Sequence, residues 1–178
     1  PRPAASEPPQ RIDRVSPPPA NEREAALAIV RRLRDAGHVA YFAGGCVRDE
    51  LLEREPHDYD VVTDATPERI AQLLPGRTSH VGAHFGVVIA REQGRMIEVA
   101  TFRTDGSYTD RRRPDSVIFS TPEQDARRRD FTVNAIFLDP LASPDASGLR
   151  GAVIDHVGGT ADLKAKVIRA VEIGRAHV

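Results

Sequence analysis

A chain of 178 residues, 40% of them apolar, carries a formal net charge of −1 and one cysteine, Cys46. That is material for one domain with a real core, and it excludes both a disulfide framework and a cysteine-based zinc set. The near-zero charge excludes bulk attraction to nucleic acid, and no run reaches the roughly 18 to 20 apolar residues that span a bilayer, so a soluble, cytoplasmic protein is expected.

Residues 1–20 are proline-rich and nearly devoid of large apolar side chains, which predicts a disordered leader. From Asn21, a candidate cap, residues 22–35 place Ala26, Leu27, Ile29, Val30 and Leu33 at helical spacing, with Gly37 as a stop. A strand is expected over 38–43, a Gly44-Gly45 turn, a helix over 46–53 and a strand over 58–62. Thr66-Pro67 opens a further helix that ends near Pro75-Gly76. Residues 85–90 and 95–102 are β-rich runs around Glu92-Gln93-Gly94, the pattern of a hairpin. Residues 104–115, TDGSYTDRRRPD, lack apolar periodicity and read as a mobile loop. After it come a strand over 116–119, a helix over 122–128, strands over 133–138 and 152–157, and a short helix over 160–166. The pattern is α/β, in the α+β sense, with a small mixed or antiparallel sheet flanked by helices; the hairpin is inconsistent with an all-parallel one.

Asp58 and Asp60 are the most informative pair. On a strand alternate residues share a face, so both carboxylates would project together while Tyr59 and Val61 pack the other way. Like charges so close repel unless a cation or donor intervenes. A solvated strand edge is the bland alternative. Glu98 interrupts an apolar hairpin strand and is a candidate third carboxylate, or else a rim residue. Just upstream, Gly44-Gly45 matches neither standard phosphate loop, yet the helix start behind it offers free N–H groups, with Arg48 as a fork for phosphate oxygens. Asp49 in the same turn is equally explained by the helix dipole. His57-Asp58 lacks the partner histidines of a metal phosphohydrolase.

A second cluster is "ARRRDFTVNA", 126–135. Three consecutive arginines cannot all face one way. A solvated helix end is the ordinary reading of such a run. With Asp130, Thr132 and Asn134 among apolar residues, the stretch reads instead as a grip for phosphate and ribose. Arg111-Arg112-Arg113 beside Tyr108 is either solvated or a nucleic-acid backbone contact.

"GGCVRDELL", "HDYDVVTDATPE", "IEVATFRTDG", "YTDRRRPDSVIF" and "RRDFTVNAIFLDP" resemble, in order and spacing, the head domain of the tRNA nucleotidyltransferase and bacterial poly(A) polymerase family. The resemblance implies a polymerase-β-like nucleotidyltransferase head over 21–171, with Mg²⁺ on Asp58 and Asp60. It also implies triphosphate contacts from Gly44, Gly45 and Arg48, and phosphate and ribose contacts from Arg128, Arg129 and Asp130. The 104–115 loop resembles the family's flexible loop, although Arg111 stands where relatives often have glycine. The implied reaction is attack of an RNA 3′ hydroxyl on the α-phosphate of ATP or CTP. Addition of C, C and A to tRNA is favoured, with poly(A) addition to general RNA as the alternative. No membrane partner is implied, and the oligomeric state is open.

The family's neck, body and tail, which select the base and hold the RNA, have no counterpart in these residues. A nucleotide-binding head without turnover is therefore the non-enzyme alternative, and the chain by itself is expected to be inactive or unselective. The last residues, EIGRAHV (172–178), can be written back as the codons of a widely used sequencing adapter, followed by a stop. A foreign tail is expected there.

Overall fold

The computed structural model describes residues 21–76, 78–79, 86–105 and 117–171. The expected leader, the expected foreign tail and most of the expected loop, with Tyr108 and the 111–113 arginines, lie outside them. Helix α1 (Glu22–Asp35) begins as its sequence predicts: the Asn21 side chain accepts from the Glu24 amide, acids sit in the first turn and Arg32 and Arg34 in the last. Its apolar stripe, Ala25, Ala26, Ile29, Val30 and Leu33, is fully buried.

The strands are β1 (Ala40–Ala43), β2 (Asp60–Thr63), β3 (Thr78–Ser79), β4 (Val87–Glu92), β5 (Arg95–Thr101), β6 (Arg103–Asp105), β7 (Val117–Phe119), β8 (Ile136–Asp139) and β9 (Ala152–Asp155). Seven form one sheet in the order β3-β4-β5-β2-β1-β8-β9, and β6 with β7 makes a separate ribbon. The sheet is mixed: β2 runs parallel to β5, and the other pairings are antiparallel. The β4–β5 hairpin turns through Gln93 and Gly94, both at positive φ, as a two-residue loop between right-twisted strands requires.

Period-two alternation divides the side chains of the central strands between two cores. Val61 and Val99 join α1, α2 (Gly45–Leu51) and α3 (Pro67–Leu73) on one face. Val62, Phe102, Ala126 of α4 (Pro122–Arg127) and Phe137 pack on the other. That second face is only partly covered, and the cleft described below opens on it.

Several stretches differ from expectation. Strand β2 starts at Asp60, because its ladders with β1 and β5 begin there (Ala43↔Asp60, Asp60↔Glu98). Asp58 therefore lies ahead of the strand and is exposed, so the pair does not share a strand face. Residues 132–134 form a 3-10 turn, with β8 following only at Ile136. Thr132 is buried and donates to Asp162 of α5 (Gly159–Ala165), which draws the chain out of the extended path. The expected loop also begins later: Thr104 and Asp105 pair with β7.

Candidate functional site

Asp60 opens β2 with its carboxylate on the partly covered face, and Glu98 stands in register on β5. Burial, then Glu98, then Asp58 push the Asp60 carboxyl up to about 6, against the lowering effect of Arg129. Asp58, though exposed and ahead of the strand, thus acts on Asp60 through space. This concentration of hard oxygen donors with incompletely compensated charge suits a divalent cation. Among the described residues no group of three or more carboxylate, histidine or cysteine side chains is placed to hold a metal ion.

The same cleft, about 420 Å³, is faced by Arg48, Arg103, Arg128 and Arg129, by Gly44 and Gly45, and by Asp130 and Asn134. Val62, Val87 and Ala100 supply its apolar lining. Four cations thus share one space with the Asp60 and Glu98 carboxylates.

Of the sequence-predicted residues, Gly44, Gly45, Arg48, Asp60, Glu98, Arg128, Arg129, Asp130 and Asn134 are brought to this cleft and Asp58 and Thr132 are not, and local contacts explain how. The turn at Gly44 requires φ +75°, and a Cβ there would meet Arg129 Nη1 at 3.3 Å, so glycine both permits the turn and leaves room for the guanidinium. Arg48 donates through Nε and Nη2 to Asp49 Oδ1, both at 2.9 Å, and through Nη1 to Asn134 Oδ1 at 2.8 Å. Asn134 Nδ2 donates onward to Asp130 Oδ1 at 3.3 Å, which also accepts from the Phe131 amide at 2.7 Å. Asp49 thereby steadies Arg48, while Thr132 points away from the cleft to Asp162.

The three arginines of α4 and its exit separate by partner. Arg127 turns outward to Glu123, while Arg128 and Arg129 turn inward to Asp125. Sequence reasoning missed Asp125 and Arg103. Arg103 stood in a quoted motif, and its place after a β-run was the one signal of its direction. Asp125 carried only its spacing, three and four residues before the paired arginines.

Over 149 residues the chain is 44% identical to the CCA-adding enzyme of Geobacillus kaustophilus, covering 83% of this chain and 34% of that protein. It superimposes on the Bacillus stearothermophilus CCA-adding enzyme in complex with CTP with a TM-score of 0.71 at 37% identity, covering 88% of this chain and 34% of the other. The Thermotoga maritima CCA-adding enzyme complexed with tRNA gives a TM-score of 0.60 at 26% identity, covering 87% and 34%. The chain spans about a third of the length of the curated relatives it matches. Residues 40–169 match the model of the poly(A) polymerase head domain, and the chain belongs to that family.

Proposed function

We propose that residues 21–171 are the nucleotidyl-transferring head of a CCA-adding enzyme, which extends the 3′ end of tRNA from CTP and ATP. The observation that carries this reading is one cleft in which Asp60, its carboxyl pushed up to about 6, faces a set of arginines beside a glycine turn. A triphosphate with its cation has the complementary division of charge.

Asp58 and Asp60 are the residues that would hold Mg²⁺, and Glu98 stands beside Asp60 on β5. The chemistry Mg²⁺ supplies when bound is activation of the attacking hydroxyl and screening of the leaving charge. Gly44 and Gly45 permit close approach of phosphate to backbone, and Arg48, Arg128 and Arg129 neutralise the triphosphate. Asp130, oriented by Asn134, accepts a hydrogen bond from the ribose hydroxyl. The RNA 3′ hydroxyl gives up its proton to solvent as its oxygen forms a bond to the α-phosphorus, the bridging bond to the β-phosphate breaks, and pyrophosphate leaves. The protein's work is placement and charge screening.

The test is product length. The chain is exchanged for the corresponding segment of the Geobacillus kaustophilus enzyme and incubated with tRNA lacking its CCA end. Addition of C, C and A is expected, the Geobacillus neck selecting the base and this head supplying the transfer; a folded chimera that extends no tRNA would overturn the reading.

A further inference from the structure

Asp125 is almost fully buried, with a side-chain exposure of 1%, and no step of the proposed reaction uses it. Its two oxygens are divided between two cations. Oδ1 accepts from Arg128 Nε and Nη2, both at 2.8 Å, and Oδ2 accepts from Arg129 Nε at 3.2 Å and Nη2 at 3.1 Å. Oδ1 also accepts from the backbone amide of Arg103 at 3.3 Å. Arg103, Arg128 and Arg129 all face the cleft. One carboxylate therefore ties the end of α4 and the start of β6 into a single arginine cluster.

We infer that Asp125 is the positioning residue of the triphosphate grip, holding Arg128 and Arg129 by their Nε edges so that their remaining N–H groups serve the ligand. The charge relation supports this. Two guanidinium groups share one carboxylate, so the trio of Asp125, Arg128 and Arg129 keeps one surplus positive charge, and it keeps it in a half-buried place where like charges would otherwise repel. Arg129 shows the fit most closely: its Nη1 reaches the Asn134 carbonyl at 3.4 Å and its guanidinium lies 5.3 Å from the Phe137 ring centre. A guanidinium fixed on one edge by carboxylate, on one face by an aromatic ring and at Nη1 by a carbonyl loses little further freedom when phosphate arrives. Arg127, one residue earlier, has Glu123 as its partner, and both side chains are more than half exposed. Asp125 thus decides which arginines of the run turn inward.

The inference rests on the reading that Arg128 and Arg129 grip triphosphate, and the experiment separates the two. Dissociation constants for CTP and for CMP, each with Mg²⁺, are measured on the chain, on Asp125→Asn, on Arg128→Ala/Arg129→Ala and on the triple variant, with thermal melting as the check on folding. Asp125→Asn should weaken CTP about tenfold while CMP changes by less than about twofold, because the lost bonds orient guanidinium groups to which a triphosphate offers far more charge than a single phosphate does. In the double-alanine background it should add nothing further. Equal weakening of CTP and CMP would make Asp125 a purely structural ion-pair partner and overturn the inference. Weakening by the alanines alone, with Asp125→Asn binding CTP normally, would also overturn it while leaving the arginine reading intact. Normal CTP binding by the double-alanine variant would overturn both. If Asp125→Asn does not fold, Asp125→Glu carries the test: the charge is kept on an arm one methylene longer, and CTP should weaken severalfold with CMP unchanged. A folded glutamate variant with undiminished CTP affinity refutes the positioning role.

Discussion

Asp60 and Glu98 are register partners across the parallel β2–β5 pairing, so two carboxylates from distant parts of the chain share one sheet face. Burial contributes most to the raised Asp60 carboxyl, and Glu98 is the largest charge acting in the same direction. The arrangement makes the site dependent on proton or cation.

The first prediction follows from that dependence. The folded value of about 6 lies above the ordinary 3.8, so the folded chain binds the proton more tightly than the unfolded chain does. The associated stability is complete below pH 3.8 and is lost as pH rises through about 6. In chelator at pH 7.5, Asp60→Asn should resist urea better than the wild type by ~1 to 3 kcal/mol, the difference closing near pH 4. Identical unfolding curves at pH 7.5 would show that Asp60 ionises without penalty.

Tyr59 ties the approach to β2 to the neighbouring helix. Its hydroxyl donates to Glu50 Oε1 at 2.6 Å, and Glu50 also accepts from Arg23 Nε at 2.9 Å. Tyr59→Phe removes a hydrogen bond to a charged group and should cost about 1.5 to 3 kcal/mol, read by chemical denaturation. A loss well under that range would mean that Glu50 is satisfied by Arg23 alone.

The elements that sequence predicted best are those whose causes are local. Asn21, Thr66 and Thr121 each cap the helix that follows, and Gln93-Gly94 sets its own hairpin. Partner choice is not local. Nothing near Asp60 specifies that β2 lies parallel to β5, and that pairing fixes both the late start of the strand and the approach of Glu98. Arg23 illustrates the same limit: helical spacing does not foretell that it is buried against Glu50, the Arg150 carbonyl and the Phe42 ring. The cleft residues were legible as types, glycine turn, carboxylates and arginines, whereas Asp125 and Arg103 became visible only once α4 and β6 were brought together.

Asp130 offers a test of sugar recognition. Two donors on Oδ1 orient its carboxylate. If that carboxylate accepts the ribose hydroxyl, Asp130→Ala should reduce discrimination between CTP and dCTP by about tenfold or more, since such a charged bond is worth about 1.5 to 3 kcal/mol. Competition binding with the two nucleotides measures it. Undiminished rejection of dCTP would move the ribose contact to another residue.

Base recognition should be weak in this chain. The side chains assembled at the cleft address phosphate, sugar and cation, groups shared by all four ribonucleotides, and strong discrimination needs polar groups fixed against a base edge. Calorimetric titration with ATP, CTP, GTP and UTP at equal Mg²⁺ should give affinities within about a few-fold of one another. A clear preference for ATP and CTP would show that selection begins within the head.

The most direct measurement of the central claim is CTP binding by the chain at pH 7.5 with Mg²⁺ and with chelator, on wild type and on Asp60→Asn. If Asp60 belongs to a cation site that completes a triphosphate pocket, Mg²⁺ should tighten wild-type binding by about tenfold or more, and the asparagine variant should lose that gain while keeping the weaker metal-free affinity. Equal affinity with and without Mg²⁺ in the wild type, or an undiminished Mg²⁺ effect in Asp60→Asn, would contradict it.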